Sequence, residues 1–305
     1  MSPAVAHHAD IREHQVTAGD ISFRRRRLAA AAGAARVGAS HYLIAPGSRG
    51  MPVHVHGDEE EIVYVLGGEG TGYELAGQDP QGEALTYPLG PGDVVVHRPG
   101  RRPHTRIGGP AGLELIVFGS GSETSLTYLP RAGVMWAGAR WVPLDAPHPF
   151  SAEAAAGPLR VEAVDPGAER PSNVVRVSDC DPEPFEGIEV RAAGRAGGAV
   201  KAGLNHVVLP AGASGAPAHC HALEEELFVV LAGSGTLTLG AEAHPLRAGD
   251  VVSRPPGTGV PHALTAGPDG LTYLVYGTRE PGDAVAYPAA GTVRQRGLGV
   301  TLNVA

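Results

Sequence analysis

Hydrophobic and polar residues alternate along several short segments of this 305-residue chain. Two clear examples are the runs Glu61-Ile-Val-Tyr-Val-Leu66 and Gly235-Thr-Leu-Thr-Leu-Gly240. Alternation with a period of two is typical of β-strands that turn one face to a core and the other to solvent. The 44 glycines and 27 prolines, with only 5% aromatic residues, favour many short strands joined by tight turns. The pattern therefore predicts an all-β protein.

An internal repeat is the second feature of the chain. The repeated unit is two histidines separated by one residue, followed by a glutamate and then a glycine. Every member of the first copy recurs 165 residues later, as His54, His56, Glu61 and Gly68 and then as His219, His221, Glu226 and Gly233. A repeat of this length predicts that the chain arose from two equivalent halves.

Each copy continues with a Gly-Asp turn and ends in a proline followed by a third histidine. These stretches run from Gly92-Asp93 to Pro103-His104 and from Gly249-Asp250 to Pro261-His262. The interval between the copies is rich in proline, alanine and acidic residues, which is typical of a connector. We therefore predict an N-terminal domain at 1–145, a connector at 146–186 and a C-terminal domain at 187–305.

The histidine pairs are candidate metal ligands. Two residues separated by one position along a β-strand point to the same face, and a carboxylate beyond the next turn can join them around one ion. The last histidine of each copy adds a third imidazole. Three imidazoles and one carboxylate suit a divalent ion of Mn, Fe, Co, Ni, Cu or Zn and leave about two positions for water, substrate or dioxygen. The sequence thus predicts two divalent transition-metal ions per chain, of undetermined identity.

The two motifs resemble those of the cupin superfamily, and in particular its two-domain bicupin branch. The first family motif runs Gly, His-x-His, Glu, Gly, and the second runs Gly-Asp, Pro, Gly, His. In this chain the first motif extends from Gly47 to Gly68 and again from Gly212 to Gly233. The resemblance covers nearly the whole chain. It implies a double-stranded β-helix, or jelly-roll, barrel in each half, with the metal inside the mouth of the barrel.

The resemblance also selects one glutamate from each acidic run. The family places its glutamate seven residues before the glycine, so the implied ligands are His54, His56, Glu61 and His104 for one ion and His219, His221, Glu226 and His262 for the other. The neighbouring glutamates are expected on the rim of each site: Glu59, Glu60, Glu224 and Glu225. The chain lacks the asparagine that usually ends the second motif, and Arg98-Pro99-Gly100 is irregularly spaced. Neither departure removes a ligand.

The resemblance leaves three classes of function open. We favour a metal-dependent oxidoreductase of the dioxygenase type that acts on a small enolate, catechol-like or carboxylate substrate, since bicupins with intact ligand sets include such enzymes. The alternative is a non-redox lyase, hydrolase or isomerase, of the decarboxylase or aminohydrolase type, in which the ion is a Lewis acid. The third is a non-catalytic small-molecule binding or storage protein. The fold does not choose among them, and the sequence assigns no catalytic acid or base.

The polar residues outside the two ligand sets each allow two interpretations. His41 and His206 each precede the first ligand histidine by 13 residues, and they either line the pocket or are ordinary strand residues. Arg98 and Arg254 each precede a proline, and they either hold a substrate carboxylate or lie outside the strand. In the run Arg24-Arg25-Arg26-Arg27, strand alternation sends two guanidinium groups to each side, which favours a solvated or interface strand.

The charge balance favours a small-molecule ligand over a nucleic acid or an anionic membrane. The formal net charge is −8 and the sequence pI is about 5.9. The sequence shows neither a signal peptide nor a membrane-spanning stretch, so we expect a cytoplasmic protein. Residues 1–19 have no apparent counterpart in the second half and form either a flexible lead, as terminal segments more often do, or an arm across another subunit. Together with the assembly habits of bicupin-like chains, this favours a homodimer.

Overall fold

The fold is that of two similar all-β halves. The computed structural model describes residues 5–79, 81–121, 126–137, 140–142, 148–185 and 187–304. Each half is a jelly-roll barrel, so the predicted fold class is confirmed. Among the described helices, none combines the length and the apolar character needed to cross a bilayer.

The regular elements are short apart from two long strands in each half. In the first half and the interval after it they are β1 (Val5–His7), β2 (Glu13–Ala18), β3 (Ile21–Arg27), α1 (Leu28–Ala31), β4 (Gly38–Ile44), β5 (Val55–His56), β6 (Glu61–Leu75), β7 (Ala84–Leu89), β8 (Asp93–His97), β9 (His104–Gly119), β10 (Leu126–Leu129), β11 (Val134–Ala137), β12 (Arg140–Val142) and α2 (Pro149–Ala155). From there they are β13 (Val174–Arg176), β14 (Pro182–Phe185), β15 (Ile188–Arg191), α3 (Ala193–Ala196), β16 (Ala202–Leu209), β17 (Cys220–His221), β18 (Glu226–Leu239), β19 (Glu242–Arg247), β20 (Asp250–Arg254), β21 (His262–Thr278), β22 (Ala284–Tyr287), β23 (Thr292–Gln295) and β24 (Val300–Asn303). Three short 3-10 helices cover His8–Asp10, Val177–Asp179 and Pro288–Ala290.

Each barrel combines a large and a small antiparallel sheet. In the first half the large sheet has the order β13-β8-β6-β9-β4-β3-β2, with β7 on β6, and the small sheet has the order β12-β11-β10-β5. In the second half the corresponding orders are β1-β20-β18-β21-β16-β15-β14, with β19 on β18, and β17-β22-β23-β24. Each half has its own apolar core, so each can bury its hydrophobic faces.

The predicted ligands lie at the ends of these strands. Glu61 is the first residue of β6, His104 is the first residue of β9, and His56 ends the short strand β5. An isolated antiparallel bridge joins His54 to His104, and the same bridge recurs between His219 and His262. The strand order therefore gathers the ligands of each half at one end of its barrel.

The motif glycines are required by close packing between the two long strands of each half. Gly68 has φ +74, and a Cβ placed on it would lie 2.3 Å from the carbonyl oxygen of Gly112. Gly233 has φ +79, and its Cβ would lie 2.1 Å from the carbonyl oxygen of Gly270. Both glycines lie beside a register shift in the long strand. This part of the motif shapes the barrel and has no role in ligation.

A third apolar cluster joins the two halves. It contains Leu28, Ile62 and Phe118 from the first half and Leu204 and Tyr276 from the second. The rings of Phe118 and Tyr276 stack with their centroids 5.0 Å apart. The halves therefore share a buried hydrophobic interface.

The expectation of a flexible N-terminal lead is wrong for the described residues from Val5 onward. β1 pairs with β20 of the second half, whereas β2 pairs with β3 of the first half. The same arrangement recurs in reverse, because β13 pairs with β8 of the first half, and β14 pairs with β15 of the second. Each barrel therefore receives an edge strand from the arm that precedes the other barrel. Residues 1–4 lie outside the described residues, and the homodimer prediction now rests on the family resemblance alone.

The expectation that Glu60 and Glu225 lie on the rim is also wrong. Both side chains are fully buried between the halves. The carboxylate of Glu225 accepts hydrogen bonds from the backbone N–H groups of Ala35 (2.9 Å), Arg36 (2.7 Å) and Val37 (2.9 Å). The carboxylate of Glu60 accepts the equivalent bonds from Val200 (3.0 Å) and Ala202 (3.1 Å). Each half thus anchors a loop of the other through one buried carboxylate.

The predicted domain boundaries lead to a proteolysis experiment. Residues 157–173, in the middle of the predicted connector, contain no helix or strand, whereas residues 143–147 and 186 at its ends lie outside the described residues. We expect brief protease treatment to cut within 157–173, because backbone outside regular elements fits a protease most easily. The two fragments should separate on a denaturing gel and elute together from a native sizing column, since β1 and β13 cross between the barrels. First cleavage between Gly47 and Gly68 would contradict the boundaries.

Candidate metal centres

In the N-terminal barrel, three imidazoles surround one carboxylate. The Nε2 atoms of His54 and His56 lie 3.8 Å and 3.6 Å from Oε2 of Glu61, and the Nε2 atom of His104 lies 3.3 Å from Oε1. All four side chains are mostly or fully buried. The structure therefore brings together the four residues that the sequence predicts as one ligand set.

The C-terminal barrel repeats this arrangement. The Nε2 atoms of His219, His221 and His262 lie 3.6 Å, 3.4 Å and 2.9 Å from Oε2 of Glu226. All three imidazoles converge on a single carboxylate oxygen. The second predicted set of four residues also meets at one point.

Contacts at the other ring nitrogen orient most of these histidines. The Nδ1 atoms of His54, His104 and His219 lie 2.8 Å, 3.0 Å and 2.7 Å from the carbonyl oxygens of Pro52, Arg102 and Pro217. A carbonyl oxygen can only accept a hydrogen bond, so Nδ1 carries the proton in each ring. The Nε2 lone pair then points to the centre of the site. This is the arrangement in which imidazole binds a metal ion.

The donor set fits a divalent cation. The buried atoms His104 Nε2, His262 Nε2 and Glu226 Oε2 have no well-aligned hydrogen-bond partner among the described residues. Unpaired lone pairs that face each other in a buried space are unfavourable, and a cation among them would satisfy all of them. Burial lowers the pKa of His104 to about 3, which keeps its ring neutral and able to donate a lone pair.

Both carboxylates are held in their ionised form. Burial opposes the charge on Glu61, but the Arg106 guanidinium and the three imidazoles outweigh it and hold the pKa of Glu61 well below its usual range. Burial likewise opposes the charge on Glu226, and the imidazoles of His219, His221 and His262 outweigh it and lower its pKa well below normal. A metal ion would therefore meet an anionic ligand at each site.

Arg106 distinguishes the N-terminal site, and the sequence reasoning missed it. It follows His104 by two positions on β9, so strand alternation turns both side chains to the same face. Its Nη2 group donates a hydrogen bond to Oε1 of Glu61. In the second half Leu264 follows His262 by two positions and packs in the apolar core. Counting two residues on from each last histidine would have found this difference.

The residues next to the ligands differ further between the halves. In the first half His97 pairs with Glu61 across the strands, and its ring stacks on His104 with centroids 3.5 Å apart. In the second half Arg254 takes the position opposite Glu226. Nδ1 of His56 contacts the Thr127 hydroxyl at 3.1 Å, whereas Nδ1 of His221 contacts the Asp283 carboxylate at 2.7 Å. The two centres thus share ligands but not surroundings.

The carboxylate contact changes the titration of His221. Burial disfavours the charged ring, but contacts with Glu226 and Asp283 outweigh it and raise the pKa of His221 to about 9. His56 has the same balance, with burial opposed by Glu61 and Glu59, and its pKa is raised. Protons therefore compete with metal at these two positions.

A cavity of about 750 Å³ lies over the N-terminal centre. His54, His56, Glu61 and Arg106 form part of its lining, so three of the four predicted ligands face the cavity. Glu59 also lines it, in agreement with the expected rim position, and its pKa is raised because burial outweighs the nearby His56. This centre is therefore open to a small molecule.

The remaining candidate residues lie apart from the ligand sets. His41 contacts Glu114 at 2.7 Å, and the ring of His206 stacks on Tyr64 at the interface between the halves. Arg98 is exposed, and its Nε group donates a hydrogen bond to the carbonyl oxygen of Gly198. Arg254 is buried and donates to the carbonyl oxygen of Val260, behind Glu226. Of these four, only Arg254 adjoins a predicted ligand set, through its position opposite Glu226.

The run of four arginines divides as alternation predicts, but one side is not solvent. Arg24 and Arg26 form ion pairs with Glu13 at 3.1 Å and 2.8 Å. Arg25 and Arg27 line the cavity over the N-terminal centre. Arg27 is exposed, as expected for a solvated strand, whereas Arg25 is partly buried, and both border the cavity.

Comparisons with known proteins agree with the architecture. The crystal structure of the Lactobacillus farciminis oxalate decarboxylase formate complex aligns over 92% of this chain and 87% of its own, with 18% identity and a TM-score of 0.65. Oxalate decarboxylase from Bacillus subtilis at pH 4.6 aligns over 90% and 76%, with 16% identity and a TM-score of 0.62. At these identities the likeness concerns the fold. No curated protein sequence gives a significant match.

The family assignment rests on both halves. The family model for the cupin domain matches residues 40–117 and again residues 205–275. The first match runs from β4 into β9 and the second from β16 into β21, so each covers the strands that hold one predicted ligand set. The chain therefore belongs to the cupin superfamily as a two-domain member, a bicupin.

Proposed function

We propose that this bicupin is a metal-dependent, non-redox lyase that removes a carboxyl group from a small carboxylate in its N-terminal barrel. The eight predicted ligands would hold one divalent ion in each barrel. The proposal takes the alternative from the sequence analysis in place of the dioxygenase. Its support from the comparisons is that the structures aligned above are oxalate decarboxylases, one of them a formate complex.

The observation that carries the proposal is the position of Arg106. Its guanidinium is buried beside Glu61, and both residues line the 750 Å³ cavity. A guanidinium group can hold a carboxylate through two parallel hydrogen bonds. A substrate carboxylate that enters this cavity therefore meets a fixed cation next to the predicted metal ligands. Leu264 supplies no such group in the second barrel.

In the reaction the carbon–carbon bond to the carboxylate breaks and its electron pair stays on the substrate carbon. The carboxylate leaves as carbon dioxide, and a proton from solvent bonds to the substrate carbon. A bound divalent ion would supply Lewis-acid stabilisation of the developing charge. Arg106 would orient the carboxylate and offset its charge. The apolar walls at Phe23 and Leu115 would limit the access of water.

The test measures carbon dioxide release and dioxygen consumption together on the metal-loaded chain. Oxalate and a panel of larger mono- and dicarboxylates serve as substrates. We expect carbon dioxide without stoichiometric loss of dioxygen from at least one acid. Dioxygen consumed in proportion to product would favour the dioxygenase, and no turnover of any acid would contradict the lyase.

The variant that tests the site is Arg106→Leu, which copies the residue found in the other barrel. We expect kcat/KM to fall by about 100-fold or more, as when one charge-stabilising donor is lost from an active site. At saturating metal the ion should still bind, because all four predicted ligands remain, although loss of the contact to Glu61 should weaken the site by about 10- to 100-fold. Leu264→Met is the matched control in the other barrel and should keep both activity and metal. Full activity in Arg106→Leu would overturn the assignment of the N-terminal site.

A further inference from the structure

The cavity over the N-terminal centre is lined by two further arginines, which come from a different strand than Arg106. Arg25 and Arg27 belong to β3 and both line the cavity. They pair across the strands with Tyr42 and Ser40 of β4, which also line it. Two residues separated by one position on a strand lie about 7 Å apart on the same face. The two guanidinium groups therefore form one patch on the cavity wall.

The charge of this patch has no ion-pair partner among the described residues. In the described part of the chain, no carboxylate forms an ion pair with Arg25 or Arg27, whereas Arg24 and Arg26 on the opposite face share Glu13. Arg25 donates from Nε and Nη2 to the hydroxyl of Ser40, at 3.1 Å and 3.0 Å. A hydroxyl fixes the guanidinium in place but does not cancel its charge. An anion can therefore bind here without breaking an existing ion pair.

An aromatic surface accompanies the two cationic regions. Phe23, Tyr42 and Phe150 line the cavity, and the ring of Phe23 lies 5.3 Å from Tyr42 and 6.4 Å from Phe150 between centroids. The guanidinium carbon of Arg25 lies 5.4 Å from the centre of the Tyr42 ring. Trp136 lines the same cavity. This surface would pack against an apolar or aromatic ligand body.

The cavity is too large for the smallest acids. Its volume of about 750 Å³ falls in the range of roughly 300–1,000 Å³ that encloses drug-sized ligands. An acid with six non-hydrogen atoms, such as oxalate, would leave most of this space to water. It would also leave the Arg25 and Arg27 charges without a partner.

We propose that the substrate carries two anionic groups separated by an apolar, preferably aromatic, body. This inference rests on the proposed function for one end, since the carboxyl group that is lost lies at Arg106. The body lies along Phe23, Tyr42 and Phe150. The second anionic group binds Arg25 and Arg27. This second contact selects the substrate by size and charge and takes no part in bond cleavage.

The experiment measures binding to the metal-loaded full chain by calorimetry, so it needs no turnover. The probes are terephthalate, 4-carboxyphenylacetate and 1,4-phenylenediacetate, which scan the spacing of two carboxylates. Benzoate and phenylacetate are the matched monoacids. We expect at least one diacid to bind about 10-fold more tightly than its monoacid, since the diacid makes an additional charge-assisted contact.

Variants locate the second anion. The double variant R25Q/R27Q should abolish the preference for the diacid and keep the affinity for the monoacid. The control R24Q lies on the opposite face of the same strand and should keep the preference. If R25Q/R27Q does not fold, R27Q alone replaces it, because Arg27 is exposed and should reduce the preference without affecting folding.

The outcomes separate the two proposals. Equal binding of every diacid and its monoacid, or a diacid preference that survives R25Q/R27Q, overturns the second anion site even if small acids are decarboxylated. A preference that depends on Arg25 and Arg27, with no carbon dioxide from any bound diacid, supports the binding site and contradicts the lyase.

Discussion

Replacing His54 or His219 by alanine is expected to remove about one metal ion per chain in each case, and replacing both should remove about two. Each histidine points its Nε2 atom at the carboxylate of its own barrel, 3.8 Å from Glu61 or 3.6 Å from Glu226. Loss of a direct ligand should weaken a site by more than the roughly 10- to 100-fold that follows from changing a residue behind a ligand. Elemental analysis of protein loaded with Mn, Fe, Co, Ni, Cu or Zn and then desalted measures the result.

Two further variants make this experiment specific. His41→Ala lies outside both sites, with its ring against Glu114, and should keep both ions. Asp283→Asn changes only the residue behind His221, so it should weaken the C-terminal site by about 10- to 100-fold and leave the N-terminal site intact. Wild-type protein that stays metal-free with all six metals would contradict the ligand sets, and the lyase proposal would fail with them. If the wild-type protein binds one ion per chain, only one of the two predicted sites is supported.

The grouping of the predicted ligands could be anticipated from the sequence because most of their spacing is local. His54 and His56 share one strand face, and the turn that follows brings Glu61 to the start of the next strand. His104 comes from a distant strand, but the Pro-His ending of the second motif identified it. This spacing lies at strand ends and recurs in both halves, so it can be recognised without knowing exactly where each strand begins and ends.

The N-terminal arm was not predictable from the repeat. Val5–His7 and Val174–Arg176 take equivalent places in the fold, but their sequences differ. Each of these strands has only three residues. Such short strands have too few positions to show a period of two. They are strands because each lies on the edge of the other barrel. That contact is non-local, and the sequence does not carry it in a readable form.

Arg25 and Arg27 show a different limit. Alternation correctly divided the four arginines into two pairs, but it could not say which face looks into the barrel. That depends on the place of β3 between β2 and β4 and on the opening above Glu61. Only the assembled sheets reveal that two of the charges border the candidate site. Solvent exposure does not separate the two pairs, because one arginine of each pair is exposed: Arg24 and Arg27.

Glu60 and Glu225 were expected on the rim but are buried. A buried carboxylate is costly unless it has hydrogen-bond partners, and the sequence shows no local partner for either. Their partners are backbone N–H groups of the opposite half, at 200 and 202 and at 35 to 37. No local pattern announces such a contact. Its recurrence in both directions across the interface makes these two glutamates the polar counterpart of the Phe118–Tyr276 contact.

Replacing Glu225 by alanine is expected to lower the free energy of unfolding by about 3 kcal/mol or more. The change removes the acceptor of three N–H groups: the bond from Val37 is buried and those from Ala35 and Arg36 are partly buried, and each buried group left unsatisfied costs about 1–3 kcal/mol before water enters. Glu60→Ala should cost less, about 2 kcal/mol, because two N–H groups lose their acceptor. Urea unfolding of metal-free protein measures both, so that ion binding does not alter the apparent stability.

The control for both variants is Glu242→Ala, whose side chain is 79% exposed and which should change the free energy by no more than about 0.5 kcal/mol. Because Glu225 adjoins the ligand Glu226, the metal content of Glu225→Ala is measured as well, and we expect about two ions per chain after loading. An unfolding midpoint equal to that of Glu242→Ala would show that the loop at 35–37 finds other acceptors. A large loss of stability with both ions retained would show that Glu60 and Glu225 stabilise the contact between the two barrels. It would also show that they do not bind the metal ions, in contrast to the adjacent Glu61 and Glu226.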